Sequence, residues 1–224
     1  MITIYLLDCN KLDDDLIFNK YYNLMSPYRK DKIDCLRPRK GKNLSLGAGI
    51  LLDNYLKQLG LKEKDITYHT TEKGKPYFSL LPNIHFSLSH SGDVAVCAFS
   101  DNDVGCDIEQ IDKPLEGVAK RFFTPNEYNY IFNGTTESIQ ADRFFRIWTL
   151  KEAYLKFTAE GLGGGLDSFS IFINDQNKPL INESTSEINC TKDVFFKEYY
   201  YPNYKIAVCS KENNFADQLI TVEL

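Results

Sequence analysis

The stretch from about Ala141 to Glu160 constrains this chain more than any other. Its residues recur with helical spacing, yet Phe144, Ile147, Trp148, Leu150, Tyr154 and Phe157, with Phe145, Ala153 and Leu155 between them, leave almost no polar face. A helix that is apolar nearly all round is a buried one, so any fold the chain adopts has to enclose it. Lys151, Glu152 and Lys156 nevertheless stand inside this helix. Buried charges are costly unless paired or bound to an ion. A Glu152–Lys156 pair at i,i+4 accounts for two of the three and leaves Lys151 over. A carboxylate for a metal, flanked by two lysines for phosphate oxygens, uses all three.

A second acidic signal lies upstream, in Val104-Gly105-Cys106-Asp107-Ile108-Glu109. Alternation along a strand puts Val104, Cys106 and Ile108 on one face and Gly105, Asp107 and Glu109 on the other. Two residues of strand span about 6.8 Å, so both carboxylates can reach one point. At ~6 Å and an effective dielectric near 20 they repel by ~3 kcal/mol, which calls for a cation. Oxygen ligands with no neighbouring His or Cys suit Mg²⁺. The plain alternative is a solvent-facing acidic edge. Gly105 lets another group come close to the backbone on this face.

Around these signals the chain reads as two halves of similar size meeting near residues 100–105. The first opens with a strand at Ile2–Leu7, then a helical stretch from Leu12 to Met25 and a basic run from Arg29 to Lys42. A helix follows at Leu44–Leu59 with Gly60 at its C′ position. Gly74-Lys75-Pro76 is a turn, and Phe86–Ser89 and Val94–Phe99 are strands joined by a tight connection at His90–Asp93. In the second half the metal-type strand is followed by short helices at Val118–Phe123 and from Pro125, a polar loop at 133–140, and the buried helix. Phe169–Ile173, Val194–Tyr201, Tyr204–Cys209 and Leu219–Val222 read as strands of one antiparallel sheet. Val94-Ala95-Val96-Cys97 and Ile206-Ala207-Val208-Cys209 are a faint internal echo.

Composition sets the outer limits. With 26 Lys and Arg against 31 Asp and Glu the net charge is −5, which argues against a general nucleic-acid binder. No window approaches the roughly 20 apolar residues of a membrane span, and the N-terminus lacks the features of a secretory signal. The six cysteines form no C-x-x-C pair and read as small buried hydrophobes of a cytoplasmic protein. There is no Walker A sequence, no G-x-S-x-G elbow and no strand-borne G-x-G-x-x-G. The glycines at 161, 163, 164 and 165 follow a helix C-terminus, where the dipole repels anions, so they read as a flexible stop. For Ser89 and His90 a local backbone hydrogen bond and a phosphate or sugar contact both remain open.

Taken in order, Gly74-Lys75-Pro76, Phe86-Ser87-Leu88-Ser89-His90-Ser91, Val104–Glu109, Phe122-Phe123-Thr124-Pro125-Asn126-Glu127-Tyr128 and Trp148-Thr149-Leu150-Lys151-Glu152-Ala153-Tyr154-Leu155-Lys156 resemble the 4′-phosphopantetheinyl transferases of the surfactin-synthetase-activating type. The resemblance covers nearly the whole chain. It implies an α+β fold of two pseudo-symmetric α/β halves, residues 1–102 and 103–224, each an antiparallel sheet packed with a long helix, with coenzyme A in the cleft between them. It implies that Asp107, Glu109 and Glu152 hold Mg²⁺ against the coenzyme A diphosphate and that Lys151 and Lys156 contact phosphates. Lys75, Ser89 and His90, with Arg29 and Lys32, would take the adenosine and 3′-phosphate end. The Arg37–Lys42 stretch departs from the family's arginine placement, and Leu44 stands where a polar ligand residue is common.

The activity implied is attack by a carrier-protein serine on the pantetheine-side phosphorus with 3′,5′-ADP leaving, that is, a holo-acyl-carrier-protein synthase. Glu127 and Glu152 are both candidates for the base. Carrier docking is expected near Leu115, Phe122 and Phe123. The expected partners are apo acyl or peptidyl carrier proteins and coenzyme A, without nucleic acid or membrane, and the chain is expected to be a monomer. Fatty acid, polyketide and nonribosomal peptide carriers are equally compatible. A non-catalytic coenzyme A-binding module and a Mg²⁺-dependent phosphohydrolase are the rival readings.

Overall fold

The N-terminal strand and the apolar run before residue 100 find each other. In the computed structural model, which describes residues 1–159, 165–182 and 194–224, β1 (Thr3–Asp8) lies antiparallel to the Val94–Ser100 strand, with Leu6 opposite Val96. Between them in sequence come α1 (Asp15–Tyr22), α2 (Pro27–Asp34), α3 (Arg39–Gln58), a short hairpin of β2 (Tyr68–Thr70) with β3 (Pro76–Phe78), and β4 (His85–Ser91). That last strand pairs with the other edge of β5 (Val94–Ser100). These elements form one compact unit, residues 1–102 with 216–224; a second comprises 103–215. Glycines 161, 163 and 164 and Cys190 lie outside the described residues.

The long helix of the first unit begins at Arg39, five residues earlier than its apolar period. Pro38 supplies an extended residue before it, and the Arg39 guanidinium ties its first turn to the Asp15 carboxylate and the Leu12 carbonyl, each at 2.8 Å. The basic run is therefore divided between α2 and the opening turn of α3. At the far end Gly60 adopts φ +74°, and Leu61 donates back to the Leu56 carbonyl at 2.9 Å, the expected glycine stop. Where α3 crosses the sheet, a Cβ on Gly47 would lie 2.4 Å from the Cys9 sulfur, which would have to swing aside. The stretch read as one helix from Leu12 to Met25 breaks at Asp14, whose carboxylate caps α1 by accepting from Leu16 and Ile17.

The second unit runs β6 (Val104–Gln110), α4 (Glu116–Phe122), α5 (Pro125–Phe132), α6 (Glu137–Thr158), β7 (Ser170–Ile173), β8 (Pro179–Asn182), β9 (Phe195–Tyr201) and β10 (Tyr204–Ser210). Its sheet has the order β6-β10-β9, antiparallel throughout, and β7 pairs with β8 alone. Thr124 and Glu127 form a capping box at the start of α5. The polar residues 137–140, expected in a loop, are the first turn of α6. Nothing in them breaks a helix, and Glu137 suits the positive end of its dipole.

The carboxyl-terminal strands do not form one sheet. β7 and β8 stand apart, and β11 (Ile220–Thr221) joins the first unit as a parallel neighbour of β1. The Val222 amide donates to the Leu6 carbonyl at 2.8 Å, and Ala216 to Ile2 at 2.8 Å. The last nine residues thus belong with the N-terminal sheet because its β1 edge still has amides and carbonyls to pair. Each unit nonetheless has a three-stranded antiparallel core under one long helix. The echoing segments at 94–97 and 206–209 lie on the two central strands. Among the described residues Cys9, Cys35, Cys97, Cys106 and Cys209 form no disulfide, and all but Cys35 are buried. No described helix is long and apolar enough to cross a membrane.

Candidate active site

Strand β6 meets helix α6 backbone to backbone. A Cβ on Gly105 would lie 2.0 Å from the Ala153 carbonyl oxygen and 2.4 Å from the Phe157 nitrogen. The group that glycine admits is therefore the helix itself. This overturns the picture of an acidic edge facing water: the face carrying Gly105 and Asp107 lies beneath α6, and Asp107 is only 3% exposed. One residue pair further along, Glu109 is half-buried, opposite Lys205 of β10.

Close approach converts two separate sequence signals into one cluster. The Lys156 ammonium donates to Asp107 Oδ1 at 2.6 Å, an ion pair from helix to strand. Burial lowers the Lys156 pKa, but Asp107 outweighs it and holds the ammonium above its ordinary value. Glu152, one turn earlier, has its carboxyl pushed up to about 7, first by burial, then by the negative charge of Asp107, with Lys156 opposing and Glu109 adding to the rise. Burial and the charges of Asp107 and Glu109 thus act together on Glu152.

Among the described residues no three His, Cys, Asp or Glu side chains stand as a group that could hold a metal ion, so Asp107, Glu109 and Glu152 would have to draw together to share one. The donor set still has Mg²⁺ chemistry: three oxygen-bearing carboxylates without sulfur or imidazole. A divalent cation there would relieve the crowding that raises Glu152. The residues that could hold it are Asp107, Glu109 and Glu152.

Lys151 and Glu127 correct the expectation. Lys151 is fully buried, and its ammonium donates to Glu127 Oε1 at 2.6 Å and to the Phe169 carbonyl at 2.6 Å. Glu127 in turn accepts from the Ile171 amide at 2.7 Å and the Thr124 amide at 2.8 Å. In this arrangement the Lys151 ammonium is turned to Glu127 and Phe169, and both Glu127 oxygens accept hydrogen bonds. Burial lowers the Lys151 pKa, against the pull of Glu127. The pair joins α6 to α5 and β7, and so accounts for the lysine that an i,i+4 pairing left over.

The first-unit residues separate in the same way. Arg29 is 4% exposed, its guanidinium beside the Tyr68 hydroxyl. Tyr68 donates at 2.7 Å to the fully buried Glu63, which also accepts from the Ser26 amide and hydroxyl. Arg29 thus sits in a buried polar cluster with Tyr68 and Glu63. Lys32 is exposed, with its ammonium 5.2 Å from the Tyr28 ring centre. Lys75 is half-buried in a turn whose Gly74 has φ +86°. His90 and Ser91, expected in a turn, complete β4, and the reversal is made by Gly92 (φ +58°) and Asp93. Ser89 and His90 are thus strand neighbours and point to opposite faces, Ser89 buried and His90 exposed.

Of the residues expected to dock a carrier, Leu115 is 56% exposed and Phe122 half-buried. Phe123 is 6% exposed and packs on Phe144 and Trp148 at ring separations of 5.3 and 6.1 Å. It is a core residue, since the chain enters the capping box immediately after it. Sequence reading missed Arg146, buried on α6 against Glu198 of β9. Like Lys151 it is a charge within an apolar helix, the feature by which sequence marks it.

Residues 103–209 match the 4′-phosphopantetheinyl transferase superfamily. Over 206 residues the chain is 32% identical to the 4′-phosphopantetheinyl transferase Sfp of Bacillus subtilis (strain 168), covering 91% of this chain and 89% of that one. A further 4′-phosphopantetheinyl transferase of Bacillus subtilis is 36% identical over 162 residues, 72% of this chain and 70% of its own. Among solved structures, a holo-(acyl-carrier-protein) synthase from Bacillus anthracis str. Ames in complex with CoA (3′,5′-ADP) aligns at 25% identity with a TM-score of 0.40, over 48% of this chain and 92% of that one.

Proposed function

Given that this chain belongs to the 4′-phosphopantetheinyl transferase superfamily and is a phosphopantetheinyl transferase acting on carrier proteins, we propose that coenzyme A donates the group, that Mg²⁺ is required and that 3′,5′-ADP leaves. The serine hydroxyl oxygen of an apo carrier attacks the pantetheine-side phosphorus. A P–O bond to serine forms as the P–O bond to the 3′,5′-ADP oxygen breaks, and the serine proton passes to a base.

Asp107, Glu109 and Glu152 are the residues to hold Mg²⁺, which when bound neutralises charge on the diphosphate oxygens. Lys156 is the cation this chain contributes on the same patch. With its ammonium on Asp107 Oδ1, it balances that carboxylate before substrate arrives and can turn toward a phosphate oxygen afterwards. Because Glu127 is committed to Lys151, Glu152 is the carboxylate left to accept the serine proton. Lys32, Lys75 and His90 remain the first-unit candidates for the adenosine and 3′-phosphate end, joined by Ser89; Arg29 acts there only by holding α2. The reading has the chain working as a monomer in the cytoplasm, away from nucleic acid and membrane.

One observation carries this reading: the helix–strand contact at Gly105 brings Glu152 under the influence of Asp107 and Glu109, with Lys156 alongside. The test is incubation with coenzyme A, Mg²⁺ and a panel of apo carriers, followed by intact-mass measurement. A phosphopantetheine mass on the carrier serine, lost on chelation of Mg²⁺, is the expected result. Release of 3′,5′-ADP without that mass would make the protein a phosphohydrolase, and binding without either product a coenzyme A-binding module.

A further inference from the structure

Several charged residues of α6 take no part in the reaction just described, yet they line the side of the helix that faces the sheet. Arg146, 8% exposed, is one of them. Its Nε and Nη2 each donate to one oxygen of Glu198 on β9 at 2.7 Å. The remaining donors go to Asn177, Nη1 to the side-chain oxygen at 2.6 Å and Nη2 to the backbone carbonyl at 2.8 Å. Asn177 sits in the β7–β8 turn at φ +59°. One turn before Arg146, Asp142 accepts from Lys205 of β10 at 2.5 Å, and ten residues after it Lys156 reaches Asp107 of β6. The three ties span about 21 Å of helix at 1.5 Å per residue, one to each strand of the sheet. Glu152 lies between the second and the third.

At Gly105 the helix rests on backbone, while α6 side chains such as Leu150 and Phe157 share a core with Ala207 and Cys209 of β10. Directional bonds fix the axial position of a helix more sharply than apolar contact alone. A lysine ammonium is a point charge that tolerates displacement, whereas a guanidinium fork on two carboxylate oxygens fixes direction as well as distance. Arg146 makes that fork and adds two bonds to a second element.

We infer that Arg146 is a positioning residue for the transferase: by clamping α6 to β9 and to the β7–β8 turn, it sets the axial register at which Glu152 and Lys156 meet Asp107 and Glu109. The inference rests on the transferase reading above and adds to it a residue that touches neither substrate nor metal.

Arg146→Met alone strands the Glu198 charge and loses stability. The double variant Arg146→Met/Glu198→Met removes both charges and regains most of the melting temperature, but it has no clamp. Expected for the double variant are a kcat about tenfold or more below the unaltered protein, since a displacement of ~1 Å at a reacting centre can cost that and more, a KM for coenzyme A within about twofold, and faster amide exchange across residues 147–156. Arg146→Lys, which keeps the charge without the fork, should fall between. Wild-type kcat in the double variant would overturn the inference, because the pair would then merely balance charge. Should the unaltered protein transfer nothing with coenzyme A, Mg²⁺ and apo carrier, the transferase reading fails by itself. The amide-exchange comparison then decides the clamp: unchanged exchange across 147–156 sinks it.

Discussion

Lys151 and Glu127 meet with nitrogen and oxygen 2.6 Å apart and both side chains sealed from solvent. The ion pair ties the centre of α6 to the first turn of α5, one residue away from Glu152. Removing one partner leaves an uncompensated buried charge. Lys151→Met should therefore cost about 3–5 kcal/mol in urea unfolding, and Lys151→Met/Glu127→Leu should recover much of that. Lys151→Met with an unchanged unfolding midpoint and lost coenzyme A binding would return the lysine to the phosphate site.

Gly105→Ala tests the helix–strand contact. The added methyl would collide with the backbone of Ala153 and Phe157, which cannot swing aside as a side chain can. The helix has to lift. A loss of stability of about 1–3 kcal/mol or more is expected, together with transfer activity lowered beyond what the folded fraction explains. A variant that melts and turns over like the parent would show that α6 does not need this spacing.

Glu152 gives a prediction with a defined pH sign in metal-free protein. Its folded carboxyl titrates near 7, above the ordinary 4.5, chiefly through burial and the charge of Asp107. A raised acid contributes stability at low pH that is lost as pH rises through the folded value. Glu152→Gln does not titrate. With chelator present, its melting temperature should match or trail the parent's at pH 5, gain on it up to about pH 7 and level off by pH 8, while its transfer activity is abolished. A difference in melting temperature that stays flat from pH 5 to pH 8 would contradict the crowding of the three carboxylates.

The carrier-facing surface can be separated from the core at adjacent residues. Phe123→Ala removes a core ring and should cost about 3–5 kcal/mol, lowering activity in proportion to the folded protein. Leu115, largely exposed, can be changed with little effect on stability. Leu115→Asp should raise the KM for apo carrier several-fold and leave that for coenzyme A alone. A KM for apo carrier unchanged from the parent's would take Leu115 out of the docking surface.

Much of this was legible from residue order. Alternation at 104–109, apolar periodicity at 44–59 and 141–160, and the glycine stop at 60 are local properties, and local sterics and burial decide them. The ionic partners were not legible in that way. Lys156 was weighed against Glu152, four residues away, because sequence displays only neighbours along the helix, whereas its partner Asp107 is 49 residues distant. Arg29 looked like one more cation of a basic run, and nothing in the run reveals that Glu63 is buried beside it.

Sequence by itself determined the long helices and most of the longer strands, that the charges inside an apolar helix needed partners, and which family carries this set of motifs. Tertiary structure alone decided who those partners are. A charge in a low-dielectric interior takes whichever opposite charge the packing delivers. Here the packing turns on one residue, Gly105, whose missing side chain lets α6 settle onto β6, so that Lys156 reaches Asp107 and Lys151 is left to Glu127.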